Sequence, residues 1–159
     1  SGLIVHGEEE HVSACLLGLC TRYDGKEAAH PGVMQLAACH TLVPVCPEQL
    51  GGLPTPRMPA EVQPDSRVMT ACGADVTAQF RLGAAQALKV CRLAGCSAAV
   101  LKARSPSCGI GAIYDGTFTD TLTKRHGVFA ALCAREGVPA WTEEQLDNLL
   151  AFLDEASCT

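Results

Sequence analysis

The stretch CSAAVLKA (96–103) carries no polar alternation. A strand with one wet face alternates apolar and polar residues, whereas a strand that is apolar throughout has to be covered on both faces, as in a parallel sheet. The segment before it, VTAQFRLGAAQALKVCRLAG (76–95), repeats Phe80, Ala84, Leu88 and Cys91 at helical spacing and ends at Gly95, a helix stop. A long helix feeding a buried strand is half of a βαβ unit. This pairing narrows the fold more than any other feature of the chain.

The remaining pattern agrees with it. HVSACL (11–16), TLVPVC (41–46), RVMTACG (67–73) and VPAW (138–141) read as short strands or extended segments. GVMQLAACH (32–40), GVFAALCAREG (127–137) and TEEQLDNLLAFLDEA (142–156) read as helices, the last with Thr142 as N-cap and acidic residues in its first turn. Asp75 and Thr77 read as caps of the long helix. The fold expected is α/β: a single-domain, Rossmann-like open parallel sheet with flanking helices, one domain over 1–159. The stretch 47–66 holds five of the nine prolines and no helical pattern, and reads as a functional loop.

With 159 residues, 48% of them hydrophobic, the chain can bury a sizeable core. Net charge is −5, aromatics make up 4%, and no Lys/Arg cluster stands out, which argues against a nucleic-acid groove. No apolar stretch approaches a membrane span, and the start SGLIVHGEEE has no basic region leading into an apolar one. Ten cysteines suit a disulfide framework in a small secreted domain, but this chain is large and apolar enough not to need one. A cytoplasmic protein with reduced thiols is expected, as a monomer or small homo-oligomer.

Three cysteines stand apart. Cys15 and Cys46 lie at the C-terminal ends of the first two strands, and Cys108 lies in the loop after the apolar strand. Parallel strands bring such loops to one edge, where open α/β sheets bind ligands. Cys39, Cys91 and Cys133 are expected at core-like positions within helices, with Cys96 and Cys158 also structural; Cys20 and Cys72 stay open. Three thiolates fall short of a closed structural zinc site, and iron–sulfur clusters are held by Cys thiolates. On spacing alone, cluster ligands and buried thiols both remain open.

The segments SACLLGLCTRYDG (13–25), VPVCPEQLGGLPTPRMPAE (43–61), GADVTAQFRLGA (73–84), LKARSPSCGIGAIYDGTF (101–118) and GVFAALCAREGVP (127–139), taken in order, resemble the 2-thiouracil desulfidase family. The resemblance implies a 4Fe-4S cluster held by Cys15, Cys46 and Cys108, with one open iron. It implies a non-redox reaction in which water replaces the sulfur of a thiolated pyrimidine and hydrogen sulfide is released. The residues around the trio suit that task. Glu48 is expected as acid/base, against a cap or loop acid. Ser105 is expected to be catalytic and Ser107 to bind substrate, against turn chemistry for both. Arg22, Tyr23 and Asp24 are expected at the pyrimidine edge or as loop ties, and Lys102 as a counter-charge to the cluster. The stretch GLIVHGEEEH (2–11) is longer and more acidic than the family pattern, which leaves the start of the first strand open. The competing classes are a non-catalytic cysteine-based metal-binding or redox-sensing protein and a nucleotide-binding module. The second lacks a G-x-G-x-x-G after the first strand.

Overall fold

A computed structural model describes residues 9–157. Strand β1 (Glu9–Ser13) leads through helix α1 (Pro31–Leu36) to β2 (Thr41–Val45) and the one-turn helix α2 (Pro47–Leu50). An antiparallel hairpin follows, β3 (Ala60–Val62) with β4 (Val68–Thr70), and then the long helix α3 (Thr77–Ala94) and β5 (Ala98–Leu101). A second small hairpin, β6 (Ile113–Tyr114) with β7 (Leu122–Thr123), precedes α4 (Val128–Arg135), β8 (Ala140–Thr142) and α5 (Leu146–Ser157).

The main sheet has the order β2-β1-β5-β8, with all pairings parallel. Every residue of β5 is fully buried. Ala99 and Leu101 pack with Val45 against Ala84, Ala87 and Leu88 of α3 and Phe129 of α4. Ala98 and Val100 pack with Val12 against Val33 and Leu36 of α1 and Leu149 of α5. This period-two division of an all-apolar strand between two helical layers explains why the stretch shows no alternation. Each Val or Leu so buried contributes about 1.5–3 kcal/mol. No helix among the described residues is long and apolar enough to cross a membrane.

Element ends follow local chemistry. Gly95 closes α3 in the left-handed region, at φ 72°. Thr142 caps the turn into α5 through a reciprocal capping box with Gln145. Asp75 accepts from the Thr77 backbone N–H (2.9 Å) and hydroxyl (2.6 Å) just ahead of α3.

Several expectations are corrected. The first strand stops at Ser13, because the chain turns into a 3-10 turn (Ala14–Leu17) closed by Gly18 at φ 88°. Cys15 therefore rides on that turn and not on a strand. Helix α1 ends at Leu36, its last buried residue, so Cys39 is exposed in the turn beyond and is no core thiol. The stretch 67–73 pairs in the β3–β4 hairpin, outside the main sheet. The loop 47–66 contains both α2 and β3. Cys158 lies outside the described residues.

Two backbone contacts fix the elements around the cavity described below. A Cβ on Gly51 would lie 1.9 Å from the Gln79 carbonyl oxygen, and one on Gly83 would lie 1.9 Å from that of Pro47. Helices α2 and α3 thus touch backbone to backbone. The loop before α4 is clasped in the same way. The Val128, Phe129 and Ala130 N–H groups donate to the carbonyls of Pro106 and Ser107 at 2.8–3.1 Å. The first turn of α4 takes its hydrogen-bond partners from that loop, and Gly127 lets the two backbones meet.

Candidate active site

Numbered by chain order, the four parallel strands run 2-1-3-4 across the sheet, so the order reverses between β1 and β5. Such a switch point opens a crevice at the carboxyl ends of the strands. A cavity of about 770 Å³ lies there, and Cys15, Cys46 and Cys108 all line it. Its size is that of a small-molecule site.

Each thiol is delivered by a different turn. Cys15 sits in the 3-10 turn after β1, Cys46 between β2 and α2, and Cys108 in the clasped loop after β5. The Cys46 Sγ donates to the Thr21 carbonyl at 3.7 Å. The Ser13 hydroxyl bonds the Cys108 sulfur. Burial pushes the Cys15 thiol up to about 11, with Lys102 opposing and Cys46 and Glu48 adding to it. Burial, then Glu48, raises Cys46. Burial raises Cys108 far above the ordinary thiol range; the Ser13 hydrogen bond opposes this, and Glu48, Cys46 and Cys15 reinforce it. These thiols feel one another and Glu48 across the same space. Buried thiols held this way are poor free nucleophiles and need a cation to become thiolates.

No group of three His, Cys, Asp or Glu side chains among the described residues is placed to hold a single metal ion. The three sulfurs share one cavity wall. A multi-iron cluster, which takes each thiolate on a separate iron, fits that donor set.

Glu48 begins α2 beside the thiols. Its Oε2 accepts from Arg57 Nη2 (2.6 Å) and Nε (3.0 Å), a pair almost closed to water, with side chains 13% and 7% exposed. Arg57 donates its other N–H groups to the carbonyls of Thr21 and Pro54 and the hydroxyl of Thr55, at 2.9–3.2 Å. All five donors of the guanidinium are thereby occupied. Ser105 Oγ accepts from the Ser107 and Cys108 N–H groups (3.2 and 3.1 Å), so its proton points to the free Glu48 Oε1, 3.5 Å away. Lys102 Nζ lies 3.1 Å from Glu143 and lines the cavity.

Arg22 and Tyr23 line the mouth, with the guanidinium 6.0 Å from the ring. Asp24 and Ser107 do not line the cavity. Asp24 accepts from the Lys26 N–H within its turn and faces Arg22 at 3.5 Å. Ser107 is fully buried beneath the first turn of α4. Of the two roles expected for Asp24, its contacts are those of a loop tie, and Ser107 packs off the cavity wall. Arg57, Tyr114 and Asp120 line the cavity, and sequence reasoning missed all three. For Arg57 the available signal was a lone cation in the proline-rich loop, nine residues after Glu48.

The profile of the 2-thiouracil desulfurase family matches residues 11–145. The chain belongs to that family. It is 39% identical to the uncharacterized protein YbbK of Bacillus subtilis (strain 168) over 148 residues, covering 87% of this chain and 98% of that one. It is also similar to the solved structure of the [4Fe-4S]-dependent thiouracil desulfidase TudS. That likeness has a TM-score of 0.86 and 44% identity, over 92% of this chain and 98% of the other.

Proposed function

We propose that this protein is a desulfidase of thiolated pyrimidines that replaces ring sulfur by oxygen from water. The observation that carries the reading is the convergence of three thiols from three strand ends on one cavity, beside a carboxylate held by an arginine. Cys15, Cys46 and Cys108 would hold a [4Fe-4S] cluster. With three protein thiolates for four irons, that group supplies a Lewis-acidic site for the substrate sulfur.

The chain's own residues do the rest. Arg57 pins Oε2 of Glu48 and leaves Oε1 facing Ser105. Glu48 takes a proton from the attacking water and returns it to the departing sulfur or the ring. Ser105, held by two backbone N–H groups, steadies that carboxylate edge. Arg22 and Tyr23 hold the pyrimidine at the mouth. The balance is thiouracil plus water to uracil plus hydrogen sulfide, with no electron donor. The enzyme is read as one domain over 1–159, cytoplasmic, and a monomer or small homo-oligomer.

The test is anaerobic reconstitution with iron and sulfide, followed by assay with 2-thiouracil and 4-thiouracil. Uracil and sulfide released in equal amounts, only from iron-loaded protein, are expected. Stoichiometric iron with no turnover on either base would leave a metal-binding protein instead.

A further inference from the structure

Helix α3 ends in a Schellman motif. Gly95 is left-handed, the Gly95 N–H donates to the Arg92 carbonyl (3.2 Å), and the Cys96 N–H donates to the Cys91 carbonyl (2.9 Å). In this motif the side chains five apart across the cap come together, often as an apolar contact. Here both are cysteines, Cys91 buried and Cys96 partly exposed. The Cys96 thiol hydrogen-bonds the Cys91 sulfur, which draws the Cys91 thiol below its ordinary value, with Arg92 assisting and burial opposing. Neither residue lines the cavity.

We infer that Cys91 and Cys96 form a redox-closable dithiol, a site of reversible disulfide formation separate from the catalytic cavity. The backbone bonds of the cap fold the chain back so that Cys96 lies over Cys91, the juxtaposition a disulfide needs. The oxidant is a hydroperoxide. Cys96, the thiol open to solvent, attacks the peroxide oxygen, giving a sulfenic acid and one water. The Cys91 thiolate then attacks the Cys96 sulfur, forming the S–S bond and releasing a second water. In sum, two thiols and one hydrogen peroxide give one disulfide and two waters; the thiols lose two electrons and the peroxide gains them. A thiol reductant reverses the step. Only the four residues Arg92–Gly95 separate the pair, and the left-handed glycine already makes the turn, so closure leaves α3 and β5 in place.

The chain supplies its own assay. Trypsin cuts after Lys89, Arg92 and Lys102, so Cys91 and Cys96 fall on different peptides, 90–92 and 93–102, while Cys133 falls on 126–135. Iron-loaded protein is treated with one equivalent of hydrogen peroxide, alkylated in denaturant, digested without reductant and mapped by mass spectrometry. Most chains are expected to yield 90–92 joined to 93–102, two hydrogens lighter than the separate peptides and released by dithiothreitol. Cys96→Ser and Cys91→Ala should each abolish that product. In wild type, Cys91 joined to Cys133, or Cys96 recovered as sulfinic acid with Cys91 alkylated, would overturn the proposal. The wild-type map decides the matter even where a variant folds poorly.

Discussion

Arg57 ties the Glu48 carboxylate, the Thr21 carbonyl and the proline-rich loop into one unit, and two substitutions separate its role from that of the acid. Glu48→Gln keeps the shape and removes the exchangeable proton. Turnover should fall by about 10²–10⁴-fold with iron content unchanged. Arg57→Lys keeps a charge but cannot span all its partners, so turnover should drop by about 10–10²-fold through misplacement of Glu48, again with iron retained. Iron counted beside kcat checks both. Cys15→Ala, Cys46→Ala and Cys108→Ala should each lose iron and activity together. Cys133→Ala, on the buried face of α4, should keep the iron and lose about 1–2 kcal/mol in urea unfolding. That Cys15, Cys46 and Cys108 share one cavity was legible because strand ends can be read from apolar runs. Asp24 and Ser107 lie off the cavity because closeness in sequence to Cys15 or Cys108 says nothing about which way a turn points its side chains. Arg57 was hidden because its partner lies in another element, an association made only by the folded loop.

Among the elements, long periodic segments were readable and short irregular ones were not. Helix α3, its Gly95 stop and the Thr142 cap are dictated locally, by helical period, left-handed tolerance and a capping box. The hairpins β3–β4 and β6–β7 depend on a distant core of Val62, Val68, Phe80 and Ile113, with no local signature. The α2–α3 contact is equally invisible in sequence, since a glycine announces freedom of φ and not closeness of a neighbour. Gly83→Ala tests that contact. Its methyl would meet the Pro47 carbonyl, a backbone group that cannot swing aside. A loss of about 1–3 kcal/mol is expected. Helix α2 must also shift, carrying Cys46 and Glu48, so turnover should fall although neither is altered. A variant as stable and active as wild type would show the helices are free to slide.

At the scale of the whole molecule, stability depends on pH through a group that does not line the cavity. His11 lies in the middle strand of the core, fully buried, 4.9 Å from the Phe129 ring, with no hydrogen-bond partner for either ring nitrogen among the described residues. Burial lowers it from 6.5 to about 4. Between those values the unfolded chain takes up a proton that the folded chain refuses. Its contribution is therefore complete above pH 6.5 and is lost as pH falls towards 4, by about 3 kcal/mol in all. His11→Phe should flatten that part of the profile; urea midpoints at pH 7.5 and 5 for both proteins give the comparison. The clasp between α4 and the Cys108 loop has a consequence of another kind, for the order of events during synthesis. Two of the three thiols are in place once the first half of the chain is made. The third is seated by backbone donors that follow it by twenty residues and more. A nascent chain cut short before α4 thus carries all three thiols but no wall to present them. On the proposed function, loading has to wait until α4 has been made, which makes the iron content of a preparation a measure of how much of it has folded past that helix.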